Sequence, residues 1–230
     1  MHLDNLEQTD SSFLRGCLLG DGWLGLQRKK FVHLRIGHST KQHAWLMWKA
    51  DRLNRIFNKQ RRVLGPYNTS DSKGNIHPSY LYCVDDHALL TPWFNRWYKP
   101  QEGKKTVKTV TSDFLDGLDL QALAIFWCDD GSLWHSRRVK KHSLKSGEVK
   151  NYHYLETRGS LATCCFSLEE NNLIADWVTG LTGVKPKISR SKGYLLLRFN
   201  KSDLLEFIPK LAPYVPDCMR YKVDLSPCFK

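Results

Sequence analysis

The chain has 230 residues, 35 Lys/Arg against 23 Asp/Glu, and a formal net charge of +12 with its nine histidines neutral. Hydrophobic residues make up 41% and charged residues 25%, which excludes a disordered chain. The charge surplus favours a polyanionic partner, and no apolar run approaches the roughly 20 residues of a membrane span. The N-terminus "MHLDNLEQTDSSF" is acidic and excludes a signal peptide. Nucleic acid is therefore the expected partner, with no membrane. The expected location is intracellular, in a bacterial or phage cytoplasm or an organelle. Seven cysteines without C-x-x-C pairs or zinc-ligand spacing fit a reduced protein, with Cys17, Cys83 and Cys128 as small core residues.

The first element expected is a helix that starts among the capping residue types at 9–12 and stops at Gly22. Two strands, 23–27 and 31–39, follow across the basic turn Arg28-Lys29-Lys30. In the second of them Val32, Leu34 and Ile36 take one face, and His33 and Arg35 the other. Residues 40–57 read as an amphipathic helix. Weaker strands are expected near 61–67 and 79–84, then a helix over 85–98 whose Trp93 and Trp97 belong to the core. From Asp119 the order recurs, with a helix at 119–129, a strand around 132–137, a basic loop at 137–150 and a strand near 160–166. A helix at 168–181 opens with the capping box Ser167/Glu170. A hairpin turning on Ser191-Lys192-Gly193 and a helix from Ser202 complete a second helix–hairpin–helix–strands–helix unit.

Two segments within these units carry the chemistry: "LRGCLLGDG" (14–22) and "LAIFWCDDG" (123–131). Leu14, Cys17, Leu18 and Asp21 fall at i, i+3, i+4 and i+7, as do Leu123, Phe126, Trp127 and Asp130, so each aspartate lies at the foot of an apolar stripe. A carboxylate at a helix C-terminus costs roughly 0.3–1 kcal/mol. If the stripes pack together, the two carboxylates also oppose each other's ionisation. A bound divalent cation removes both objections. Mg²⁺ suits such a site because it takes one or two carboxylates and bridges a substrate phosphate, and Mn²⁺ is its expected substitute.

The paired segments resemble the two motifs of a single-chain LAGLIDADG homing endonuclease, and the likeness in element order covers nearly the whole chain. The resemblance implies an α+β fold of two pseudo-symmetric αββαββα halves, 1–112 and 113–230. Saddle-shaped antiparallel sheets would sit astride duplex DNA, with the motif helices forming the central interface. It implies that Asp21 and Asp130 are catalytic and hold the metals, helped by the backbone carbonyls of Gly20 and Asp129. Each site would hydrolyse one strand across the minor groove and leave 3′ overhangs. Lys105, within "KKT" at 104–106, and Lys222, ending "MRYK", match a basic residue near each scissile phosphate that polarises water or stabilises developing charge. Gly16 and Gly20 would let the first helix approach its partner closely. Ile125 and Asp129 occupy the equivalent places in the second motif, so the packing is expected to be asymmetric. Asp130 is favoured over Asp129 as the ligand, and Asp129 otherwise reads as a solvent-facing turn residue.

From Arg28 to Arg62 there are eleven Lys/Arg and one acid, and from Lys185 to Lys201 six and none. Strands with an apolar back and a basic front suit a sheet laid along a major groove. The DNA-binding candidates are Arg28, Lys29, Lys30, His33, Arg35, Arg61 and Arg62 in the first half. In the second they are Arg137, Arg138, Lys140, Lys185, Lys187, Arg190, Lys192 and Arg198. Lysines suit phosphates, and arginines such as Arg35, Arg190 and Arg198 suit guanine edges. The basic loop at 137–150 is expected to clamp the DNA backbone. Together these features predict a monomeric, Mg²⁺-dependent double-strand endonuclease that acts on a long asymmetric site and promotes intron mobility, with no protein partner. The same fold also supports an RNA maturase for a host intron or a catalytically silent DNA-binding protein. Two aspartates at repelling helix ends favour the nuclease. An intein origin is not expected, since no splicing segment flanks the motifs and the chain starts with Met.

Overall fold

A computed structural model of the chain describes residues 6–27, 31–70, 74–85, 88, 90–101, 104–143 and 149–229. Helix α1 (Gln8–Leu19) leads into strands β1 (Gly22–Gln27) and β2 (Phe31–Ser39), helix α2 (His43–Ile56), strands β3 (Leu64–Ser70) and β4 (Ile76–Val84), and helix α3 (Leu90–Trp97). A short hairpin, β5 (Tyr98–Gln101) with β6 (Lys104–Lys108), and a single turn of helix, α4 (Ser112–Leu115), make the connection. The order then repeats as α5 (Leu120–Asp130), β7 (Gly131–Ser143), β8 (Val149–Ala162), α6 (Leu168–Thr182), β9 (Lys187–Ser191), β10 (Tyr194–Phe199) and α7 (Lys201–Leu211). Both units are αββαββα. Their four-stranded antiparallel sheets share one topology, β1-β2-β4-β3 and β7-β8-β10-β9. Among the described residues no helix is long and apolar enough to cross a membrane.

Local chemistry accounts for most element ends. The Ser167/Glu170 capping box opens α6, and Gly183 closes it with a left-handed φ of 72°. Lys192 and Gly193, with φ of 50° and 87°, make the tight turn between β9 and β10. A second capping box, Asn200/Asp203, starts α7 one residue before the expected Ser202. At α1 the cap differs from expectation. Glu7 precedes the helix without a side-chain cap, and Ser12 points inward to donate to Asp119 Oδ1 at 2.5 Å. Asp119 is itself the cap of α5, accepting from the backbone N–H groups of Gln121 and Ala122.

Helices α1 and α5 pack face to face at the centre of the molecule. Every residue from Ser12 to Leu19 and from Ala122 to Asp129 is buried, so the apolar-stripe reading was too narrow. A helix enclosed on all sides has no polar face to shape a 3.6-residue pattern. Close approach depends on Gly16, where an added Cβ would come 2.9 Å from the Ala122 Cα. Arg15, also within this interface, donates from Nη1 to the carbonyls of Phe114 and Asp116 at 3.0 and 2.7 Å.

Three expectations need correction. The helix over 85–98 is the shorter α3, with Pro92 in its first turn, where a missing N–H costs nothing. Its Trp93 and Trp97 are buried as expected. The basic loop at 137–150 is not a loop: β7 and β8 pair continuously from Gly131↔Leu161 to Ser143↔Val149. Val139, Val149, Tyr152 and Tyr154 are strand formers, and they outweigh the charges interleaved with them. Residues 144–148 lie outside the described residues. Cys17 and Cys128 are buried, but Cys83 is half-buried and pairs across the sheet with exposed Arg35. All seven cysteines are free.

Candidate active site

Helix α1 ends at Leu19, so Asp21 lies in the turn before β1, whereas α5 runs through Asp130 directly into β7. The last carbonyls of a helix lack internal partners and carry partial negative charge. At α1 a lysine answers them. Lys108 Nζ donates to the carbonyls of Leu18, Leu19 and Gly20, the last two at 3.2 and 3.1 Å. At the end of α5 the matching lysine is Lys222, which donates to Gly131 O at 2.5 Å, while its own carbonyl accepts from Trp127 Nε1 at 2.8 Å.

Burial pushes the Asp21 carboxyl up to about 6, and the negative charge of Asp129 pushes the same way. Burial raises Asp130 to about 7, with Asp21 and Asp129 adding to it. Burial also opposes the charge on Lys108 and Lys222, lowering both ammonium groups despite the nearby acids. Two carboxylates that hold their charge poorly, next to backbone carbonyls at two helix ends, form a hard-oxygen donor set with excess negative charge. That set fits a divalent cation of the Mg²⁺ type.

Asp129 departs from expectation. Its side chain is fully buried and does not face solvent. Oδ1 accepts from Trp45 Nε1 at 2.6 Å and from Lys49 Nζ at 2.8 Å, and Oδ2 accepts from the Asp21 backbone N–H at 3.2 Å. Burial opposes its charge, yet the Lys49 ammonium and the Trp45 N–H hold the carboxyl below its ordinary range. His38 is buried, pushed down to about 4 by burial and by Lys49, and is therefore neutral at physiological pH. Its Nδ1 lies 3.5 Å from Asp21 Oδ2 and its Nε2 3.7 Å from Asp129 Oδ1. Asp21, His38 and Asp129 thus offer possible ligand atoms within 4.8 Å of one another. Since Asp129 is committed to Lys49 and Trp45, Asp21 is the carboxylate of this trio open to solvent, at 38% exposure. Gly20 has its own reason here: a Cβ on it would overlap the Asp129 carboxylate.

Sequence reasoning missed His38, Trp45, Lys49 and Lys108. Two of them carried a signal. Lys49 interrupts the apolar side of α2 made by Trp45, Leu46, Ala50 and Leu53, and His38 continues the Val32, Leu34, Ile36 face of β2. A polar side chain on a buried face needs a partner, and here the partner comes from the other half of the chain. The Lys105 side chain lies outside the described residues.

The sheet registers sort the remaining basic residues. On the second sheet Trp134, Arg138 and Lys140 share the face opposite the buried Leu161, Leu197 and Phe199, and they meet Arg158, Tyr154 and Tyr152 across the ladder. Arg198 and Lys187, paired with each other, belong to the same open face. Arg137 and Arg190 fall on the other face, a correction that follows from strand alternation. Lys185 precedes β9, separated from it by the buried Pro186, and Lys192 is in the turn. On the first sheet Arg35 is exposed. His33 is not: Trp23 folds over the space left by Gly25 and packs its ring edge-on to the imidazole, centroids 5.6 Å apart, leaving His33 3% exposed. Arg61 and Arg62 are exposed between α2 and β3. Arg28, Lys29 and Lys30 lie outside the described residues.

One acid sits on the open basic face. Glu156 accepts from Arg138 Nε at 2.9 Å and pairs also with Arg158. Glu156→Gln is expected to release both guanidinium groups, raise affinity for non-specific duplex, and steepen the log–log salt dependence of binding by about one unit. Fluorescence anisotropy across a salt series measures both.

The sequence model of the LAGLIDADG DNA endonuclease family matches residues 11–207. Among solved structures, the homing endonuclease I-WcaI bound to its DNA recognition sequence is 18% identical, with a TM-score of 0.71 over 95% of this chain and 87% of that one. The I-SmaMI LAGLIDADG homing endonuclease bound to cleaved DNA is 14% identical, with a TM-score of 0.59 over 94% and 87%. These likenesses establish the fold. Protein RecA of Mycobacterium gastri is 24% identical over 215 residues, 90% of this chain but 45% of its own length. The chain therefore spans less than half the length of that relative. The probable intron-encoded DNA endonuclease 3 of Mycosarcoma maydis is 26% identical over 147 residues, 63% of this chain and 93% of its own length.

Proposed function

The chain belongs to the LAGLIDADG DNA endonuclease family, and from that premise we propose that it hydrolyses both strands of a long, asymmetric duplex DNA site in a divalent-metal-dependent reaction. The products carry 3′ overhangs, and the cut promotes intron mobility. The protein acts as a monomer because both halves lie in one chain, divided at residues 112 and 113 within α4. The observation that carries this reading is the pair of carboxylates, Asp21 and Asp130, placed at the adjoining ends of the packed helices α1 and α5.

In this reading Asp21 and Asp130, with the carbonyls of Gly20 and Asp129, hold Mg²⁺, and Mn²⁺ substitutes. The cation, when bound, supplies Lewis-acid stabilisation of the phosphate and a more acidic water. Lys108 donates to the last carbonyls of α1 and Lys222 to Gly131 O just past α5, and we assign both, beside Lys105, the task of stabilising developing negative charge. Both are lowered by burial, so each gains most when a phosphate supplies a counter-charge. Arg35 on the first sheet and Arg138, Lys140, Lys187 and Arg198 on the second bind the duplex. No recombinase activity is carried over from the RecA relatives.

Incubation with a randomised duplex library in Mg²⁺, followed by sequencing of new ends, tests the proposal. Recurrent ends at one long site, absent with EDTA, are expected. A folded protein that binds nucleic acid and yields no ends would overturn it, and host intron RNA would be the next ligand.

The carboxyl shifts also give a pH dependence. Asp21 and Asp130 bind protons more tightly in the folded state, so their contribution to stability is full below pH 3.8 and is lost as pH rises through 6 to 7. His38 runs the other way, stabilising above pH 6.5 and losing that contribution as pH falls toward 4. A cation relieves only the carboxylate pair. Mg²⁺ is therefore expected to raise the melting temperature by about 5 °C more at pH 8 than at pH 5.5, and not at all in an Asp21→Asn/Asp130→Asn double variant. Differential scanning fluorimetry with and without Mg²⁺ measures it.

A further inference from the structure

We infer that Asp129 is a positioning residue that braces one of the two candidate sites and leaves the other unbraced, so that the two DNA strands are cut at unequal rates. The inference rests on the nuclease reading. Asp129 belongs to the second motif, but each partner it finds lies in the first half: Trp45 and Lys49 of α2, His38 of β2 and the backbone N–H of Asp21. The carboxylate is a plug passed across the helix interface and locked there by a buried cation at 2.8 Å. It fixes the turn between α1 and β1 from both sides. The Asp21 N–H is held at 3.2 Å, and Gly20 is pressed against the carboxylate with no room for a Cβ.

The first motif returns nothing equivalent. Its residue at that place is Gly20, which has no side chain to send into the second half. The polar pair buried near the matching end of β8 is Thr163 and Asn171, which hydrogen-bond to each other. Asp130 therefore follows α5, whose end is held by Lys222 of its own half, and among the described residues it receives no side chain from the other half. Asp21 follows α1 and has the brace from across the interface as well. Groups that orient a metal ligand from behind typically change affinity or activity about 10- to 100-fold when removed. Loss of this brace acts on the Asp21 side first.

The test uses the full chain with Asp129→Gly, which copies the first motif, and Asp129→Asn, which keeps the side-chain volume. Thermal melting selects which of the two is folded at the assay temperature. Plasmid carrying the selected site, labelled separately on each strand, gives the two cleavage rates. The expected result is a change of about 10-fold or more in the ratio of the two rates, with nicked circle accumulating and DNA affinity within about twofold of wild type. A merely structural role would slow both strands alike, and an unchanged ratio overturns the inference. Mn²⁺ titration by calorimetry reads the same asymmetry without cleavage. One of two sites should weaken about 10-fold, and equal weakening of both, or of neither, counts against the brace. A wild type that binds Mn²⁺ at two sites but cuts nothing would instead defeat the nuclease reading.

Discussion

Replacing either Asp21 or Asp130 by Asn is expected to abolish double-strand cleavage, by at least about 10³-fold, while affinity for the target DNA should change by no more than a few fold. Several kcal/mol of transition-state charge stabilisation comes from a cation at such a site, and each 1.36 kcal/mol is tenfold in rate. Asparagine keeps the volume and hydrogen-bonding capacity of the side chain but not the charge that retains the cation. The same substitution removes a partly desolvated charge from a cluster in which Asp21, Asp129 and Asp130 repel one another. The metal-free variants should therefore melt at a higher temperature than wild type at pH 8. Loss of activity with a gain in stability separates a metal ligand from a structural residue. Strand-resolved cleavage assays, anisotropy binding in Ca²⁺ and thermal melting give the three readouts. A variant that retains more than about a tenth of wild-type cleavage would remove its aspartate from the metal site.

The second large effect concerns stability. Lys49→Met should cost about 3–5 kcal/mol, because the ammonium and the Asp129 carboxylate are both fully buried and removal of one partner strands the other. For a chain of this length that corresponds to a fall in melting temperature of roughly 6–20 °C. Adding Asp129→Asn to Lys49→Met should recover more than half of the loss. The Trp45 N–H still has an oxygen to donate to, and no lone charge remains. Urea titration of the two single variants and the double variant gives the coupling directly. Additive losses would show that Lys49 and Asp129 contribute independently.

These two predictions draw on different layers of information. Asp21 and Asp130 were legible in the sequence because a carboxylate before glycine at the foot of an apolar segment is anomalous, and the anomaly occurs twice in equivalent places. Helix α6 was equally legible, since Ser167 and Glu170 satisfy its first N–H groups within four residues of chain. The hairpin at Lys192-Gly193 was set locally in the same way. The strand pattern of β2 correctly separated Leu34 and Ile36 from Arg35.

Misreadings arose where the deciding partner was remote in sequence. Asp129 read as a surface turn because its partners, Trp45 and Lys49, lie 84 and 80 residues away. His33 lies on the correct strand face, yet Trp23 and Gly25, on the paired strand, decide that it is covered. Arg137 and Arg190 were grouped with neighbouring bases by charge, but strand register places them opposite Arg138 and Arg198. By itself, then, the sequence determined the repeated element order, the capping box of α6 and the turn at Lys192-Gly193, and it singled out the two aspartates as candidates. Those depend on forces acting within a few residues. The tertiary structure alone decided that Lys108 serves the end of α1 and why glycine stands at 20. It also decided that the two halves are electrostatically unequal. In a water-poor interface a charge is stable only beside its partner, and the fold chooses that partner.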